Sequence, residues 1–154
     1  MTSKERVLKR EYDRGRLAAR EIQEKSSEMT GTELNAADDR IPHFSEAVKH
    51  KNMMQRKAGQ DDGFVCRSSA GRVVRLIQNY DSSVFTAEPD ELPAQWRMVW
   101  STDPEKAKPF IASSTSYYNK GDCCLNAAGL PVRSIIDFNT FDPDVSTEFW
   151  EAVK

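Results

Sequence analysis

The sequence predicts an α+β protein, with an N-terminal helical arm followed by two small antiparallel β modules. Three observations carry that expectation. Apolar side chains near the start recur at helical spacing, the second half of the chain repeats itself at an offset of 58 residues, and each copy sets a short strand-like segment on either side of a turn that ends in glycine, with β-branched residues among them. The chain then divides into an arm over 1–34, a connector over 35–62, a first β module over 63–102 and a second over 103–154.

In the arm, Leu8, Tyr12, Ala19, Ile22 and Met29 fall on one side of a helix, a narrow stripe expected to anchor the chain or to join copies of it. Gly15 and Ser26 share that seam, and a glycine inside a helix costs about 1 kcal/mol relative to alanine. Such a helix is marginal alone in water and needs a partner face. Residues 26–62 are rich in turn formers, including Gly31, Pro42 and the run Gly59-Gln60-Asp61-Asp62. One short helix is expected from Phe44 to Lys57 with Ser45 as its cap, and the connector holds too few apolar residues for a core of its own.

At the offset of 58, Gly63, Cys66, Ala70, Gly71, Val74, Arg75 and Ile77 meet Gly121, Cys124, Ala128, Gly129, Val132, Arg133 and Ile135. Deleting four residues then brings Trp96 onto Trp150 and Val99 onto Val153. Each copy reads as a strand, a polar turn closed by Gly71 or Gly129, a returning strand, a turn-rich stretch and a short aromatic strand. Val74, Ile77, Trp96, Val132, Ile135 and Trp150 are the expected core. Modules of about 40 residues are near the lower limit for independent folding, so the two are expected to pack on each other or on other chains.

Charge and composition narrow the function. Apolar residues make up 38% and charged residues 30% of the 154, a thin core under a wet surface, and the net charge of −2 makes no bulk case for nucleic acid or an anionic membrane. No apolar run approaches the roughly 18 residues that span a bilayer, and none follows the charged start as a secretion signal would, so synthesis in a cytoplasm and no membrane partner are expected. His43 and His50 lack cysteine or carboxylate neighbours at ligand spacing, and Asp61-Asp62, Asp142 and Asp144 read as turn formers. Cys66 and Cys124 occupy one place in both copies and read as small buried apolar groups, whereas Cys123 should face the other way and is the thiol open to an intermolecular cross-link. With no phosphate loop, nucleophile elbow or nucleotide fingerprint, neither catalysis nor a cofactor or metal is expected.

The segment Phe110-Ile-Ala-Ser-Ser-Thr-Ser-Tyr-Tyr-Asn-Lys-Gly-Asp122, then Val132-Arg-Ser, Asn139-Thr-Phe-Asp-Pro143 and Phe149-Trp150-Glu-Ala-Val153, resembles the small chitinase-type carbohydrate-binding modules. Modules of this pattern recur in bacteriophage tail, collar and head-fibre proteins, and the stretch from Met29 to Gln60 is similar to the lead-in of many such phage proteins. The pattern departs from the family at Phe110 and Val132, where a tryptophan and a tyrosine are usual, and at Ile135, Ile136 and Asp137, where chitin-binding members expose aromatics.

The resemblance implies a non-enzymatic structural component of a phage particle: a head-fibre, collar or capsid-decoration protein, located in the virion and made in the host cytoplasm. Its partners would be other virion proteins of the capsid or neck and further copies of itself, with a trimer the guess that fibre-like relatives prompt. A second expectation is a glycan-binding adhesin for host-surface or mucosal polysaccharide, stacking sugars on Tyr80, Trp100, Tyr117, Phe138 and Phe141, with Phe85 alongside. A third is contact with nucleic acid inside the particle through Arg6, Arg10 and Arg14 with Arg16 and Arg20. Interleaved Glu5, Glu11, Asp13 and Glu21 dilute that charge and disfavour it.

Overall fold

The computed structural model describes residues 2–48, 64–78, 80 and 84–153, the side chain of Arg16 excepted. Helix α1 covers Ser3–Lys25 and opens on a reciprocal cap, in which the Thr2 hydroxyl accepts from the Glu5 amide at 3.2 Å and the Glu5 carboxylate accepts from the Thr2 amide at 2.6 Å. A 3-10 turn, Ser26–Glu28, ends it. Helix α2, Gly31–Ala36, starts on a second box of the same kind between Thr30 and Glu33. The expected boundary at residue 34 therefore falls inside α2. A 3-10 turn at Asp38–Arg40 follows, then α3, Phe44–Ala47. His43, not Ser45, occupies the cap position of α3, and Val48 closes it; the rest of the helix expected as far as Lys57 lies outside the described residues, as do His50 and Asp61-Asp62.

Among the described residues, seven short strands form two sheets. The first is β1 (Val65–Arg67), β2 (Val73–Leu76) and β3 (Trp96–Met98), in that order and antiparallel. The second is β4 (Lys108–Pro109), β5 (Cys123–Leu125), β6 (Pro131–Ser134) and β7 (Trp150–Ala152), with β4 parallel to β5 and the remaining pairs antiparallel.

The two sheets share one register. Cys66 faces Val74 as Cys124 faces Val132, and Leu76 faces Trp96 as Ser134 faces Trp150. Gly71 and Gly129 both take positive φ, 77° and 76°, and their amides close the turns on Ser68 and Asn126 at 2.9 Å. A carboxylate from the loop before the third strand clasps each turn, Glu88 accepting from the Ser69 amide and Asp144 from the Ala127 amide.

The duplication also reaches further back than the sequence comparison. His43 pairs in parallel with Arg67 as β4 does with β5, and Phe44 then meets Trp96 edge to face at 6.0 Å, as Phe110 meets Trp150 at 6.1 Å. Pro42-His43-Phe44 is thus the first edge of module 1 rather than connector.

Alternation along the strands sorts side chains onto two faces. The inner faces of both modules meet in one cluster containing Phe44, Cys66, Val74, Leu76, Trp96, Trp100, Tyr118, Cys124 and Trp150, with Val132 packed against it. Trp100 stacks on Tyr118 across the module boundary with centroids 4.2 Å apart and planes 14° from parallel. The outer face of module 1, Val65 and Val73, is roofed by Ile22, Leu34, Ala37 and Ile41, with Met29 and Val99 alongside. Residues of the expected connector are therefore core: Ala37, Ile41, Phe44 and Ala47 are all buried.

Two expected core positions need correction. Ile135 is 39% exposed and Ile77 half-buried, because both lie one residue beyond the last inward position, which Ser134 and Leu76 occupy. Gly31 earns its place by close approach, since a Cβ there would fall inside the Trp100 carbonyl oxygen.

Candidate interaction surfaces

The helical stripe divides between two environments. Ile22 is buried, Ala19 and Met29 are half-buried, and Ser26 donates to the Gln23 carbonyl beneath the roof of module 1. Gln23 pairs its amide with both backbone groups of Val65, at 2.6 and 2.8 Å, and Arg75 donates to the Ser26 carbonyl at 3.1 Å. This end of α1 is fixed. Toward the other end, Leu8 and Tyr12 continue the same seam and are 55% and 64% exposed, with Val7 and Leu17 exposed elsewhere around the helix. Ile22 and Met29 thus belong to the chain's own core, while Leu8 and Tyr12 lie exposed on the helix surface.

The five candidate stacking aromatics also separate. Tyr80 is buried against Trp96 and Phe85, its hydroxyl donating to the Phe85 carbonyl at 2.8 Å, and burial pushes its pKa up. Trp100 is buried on Tyr118 and donates its indole N–H to the Ser116 carbonyl at 2.9 Å. Both are core, so neither offers a free ring face to a sugar.

Tyr117, Phe138 and Phe141 lie at the surface of module 2, brought together by the backbone pair Tyr118 and Asn139, which exchange hydrogen bonds of 2.9 and 2.7 Å. Pleating sends Tyr118 and Asn139 inward. Tyr117 and Phe138 then meet with centroids 4.9 Å apart, and Phe138 is 70% exposed. Phe138 has φ 51°, a left-handed conformation unusual for a bulky side chain.

Sequence reasoning gave no role to Asn139 or Phe149. Asn139 is fully buried; its amide donates to Ser134 Oγ and the Phe149 carbonyl, and its side-chain oxygen accepts from the Phe141 amide. That network builds the loop that presents Phe138 and Phe141. Phe149 stacks under Phe141 at 4.4 Å. The signal was in the chain, since Asn139 and Phe149 both stand in the motif segments, but nothing in the pattern separated inward from outward residues.

Beside the aromatics, Asp122 accepts from the Asn119 amide at 2.8 Å, Asn119 accepts from the Phe138 amide at 3.3 Å, and Asp137 accepts from the Lys120 amide at 3.0 Å. Burial raises the Asp122 pKa, the Asn119 hydrogen bond opposes that, and nearby Asp137 adds to the rise. This edge offers rings and hydrogen-bonding groups in one place, the chemistry of a shallow sugar site.

All three thiols are buried and free. Burial pushes Cys66 up strongly and Cys124 up to about 12, as expected for inert core thiols. Cys123 is buried too, its thiol against the Thr102 and Gly121 carbonyls at 3.5 and 3.7 Å, and burial raises its pKa. A cross-link through Cys123 is therefore closed to the folded chain. Among the described residues there is no group of three or more His, Cys, Asp or Glu side chains able to hold a metal ion, and no helix is long and apolar enough to cross a membrane. Compared with protein-family models, curated proteins and solved structures, the chain matches none.

Proposed function

We propose that this protein is a non-enzymatic structural component of a phage particle, of the head-fibre, collar or capsid-decoration type. It is held to virion partners through the exposed end of α1 and displays its paired β modules. The observation that supports the reading is the division of one apolar stripe: a helix folded onto its own body at Ile22 extends the same seam into solvent at Leu8 and Tyr12. An apolar seam that leaves its own core and continues into solvent offers a surface for attachment. The phage assignment itself comes from the motif resemblance. It is tested by mass spectrometry of purified particles assembled with the full chain or with a chain lacking residues 2–18. The full chain should be present in stoichiometric amounts and the truncated one lost; equal incorporation of both would overturn the reading.

The Tyr117 and Phe138 pair favours a second reading, a glycan-binding adhesin, which is compatible with a place on a particle. Phe138→Asn removes the ring while placing a residue that tolerates left-handed backbone. Polysaccharide pull-down should lose binding with Phe138→Asn and with Tyr117→Ala at unchanged melting temperature. Retention by both variants would exclude this platform.

A further inference from the structure

Module 1 holds module 2 at a surface that module 2 repeats but leaves open. In both sheets the amide two places before the end of the described edge bonds inward, Val99 donating to the Val73 carbonyl at 2.9 Å and Val153 to the Pro131 carbonyl at 3.3 Å. The neighbouring amides of Met98 and Ala152, at equivalent places, therefore point out of the free edge. Met98 donates to Ser116 Oγ at 2.9 Å. Beside it Arg97 donates to the Thr115 carbonyl at 3.1 Å, and Trp100 donates to the Ser116 carbonyl and stacks on Tyr118. The lead-in of module 2, from Thr115 to Tyr118, thus lies along the edge of module 1. Arg72 and Pro89 are buried as well, and the charge of Arg72 reaches Tyr118 and Cys124.

The same positions of module 2 face solvent. Ala152 is exposed, and its amide has no partner among the described residues. Leu130 stands for Arg72, since the carbonyl of each closes its hairpin turn, and Val145 stands for Pro89, since each follows the clasping carboxylate. They are 60% and 79% exposed. One charge is reversed, Glu151 replacing Arg97. Among the described residues no ion pair joins Glu151 to Arg133, which lies opposite it in the register with its guanidinium beside Cys123.

We propose that the β7 edge of module 2 binds a segment of a partner protein that resembles Thr115 to Tyr118 but carries a basic residue in place of the threonine. Its hydroxyl accepts from the Ala152 amide, as Ser116 does from Met98. Its basic side chain meets Glu151, and its aromatic residue covers Leu130. An open edge amide is a template for such pairing, and the inverted charge selects the partner. A second copy of this chain is the poorer fit, because its own Thr115 to Tyr118 is engaged on module 1 and lacks the basic residue. The surface is separate from α1, so its failure would leave the particle test of the proposed function unaffected.

Nitrogen-15 NMR titration of the full chain would use two synthetic peptides, residues 112–118 carrying Thr115→Lys and the same residues carrying Thr115→Asp. The lysine peptide should shift the Ala152 amide, leave Met98 unmoved and bind about tenfold more tightly than the aspartate peptide. Glu151→Arg should invert that order. Ala152→Pro deletes the edge amide without touching the ladder to β6, and should abolish binding at an unchanged melting temperature. If the proline variant melts lower, the inversion by Glu151→Arg decides alone. Equal binding of the two peptides, an unchanged order in Glu151→Arg, binding retained by a folded Ala152→Pro, shifts centred on Met98, or no binding of the lysine peptide would each overturn the inference.

Discussion

Module 1 and module 2 have the same hairpin, the same register and the same edge-to-face contact between a phenylalanine and a tryptophan, yet they are finished differently. The first is enclosed on both faces, by module 2 inside and by the helical segments outside. The second has one face in the shared core and the other partly open, with Ile135, Phe138 and Phe141 at its surface. A duplicated sheet of this size cannot bury both faces by itself. The comparison therefore teaches that the N-terminal helices complete module 1, and that the surface chemistry of the chain concentrates on the copy left uncompleted.

The largest effects should follow the enclosure. Trp96→Ala removes a fully buried indole and should cost about 3–5 kcal/mol, with Trp150→Ala at the lower end of that range because Trp150 keeps 7% of its surface exposed. Denaturant unfolding of both variants checks the order, and a larger loss at Trp150 would break the comparison. Ile22→Ala should cost about 2–5 kcal/mol, whereas Leu8→Ala should leave the stability of the monomer within about 0.5 kcal/mol. Equal losses in thermal melts at low concentration would show that the stripe is not divided as described. Gly31→Ala forces α2 off the Trp100 carbonyl and should cost about 1–3 kcal/mol, with amide exchange quickening over Gly31–Ala36.

The smallest effect concerns the open module. Burial holds the Asp122 pKa above its unfolded value. Its contribution is therefore fully present below the ordinary carboxyl range and is lost as pH rises through the raised value. Asp122→Asn keeps an acceptor for the Asn119 amide and should melt slightly higher than the wild type at pH 7. The difference should vanish toward pH 3, and melts recorded across that range would expose an opposite sign.

Much of this architecture was legible in the sequence, and the reason is the repeat. Seven matches and one four-residue deletion sufficed to register both hairpins and both tryptophans. Pro42-His43-Phe44 escaped because its distance from the first hairpin differs from that of Lys108-Pro109-Phe110 to the second, and only the phenylalanine is shared. Ile77 and Ile135 are identical between the copies, which suggests burial, but alternation from Val74 and Val132 turns both outward. The surface aromatics were half legible: composition named five rings, but only the fold separates Tyr80 and Trp100, which face the shared core, from Tyr117 and Phe138, which a single backbone pair presents outside.

The stack of Trp100 on Tyr118 gives the molecule an internal optical gauge. Two nearly parallel chromophores, one from each half, couple their transitions only while the halves stay docked. Near-ultraviolet dichroism should therefore register their separation as a distinct event wherever the junction yields before the hairpins melt, without any label attached to the chain.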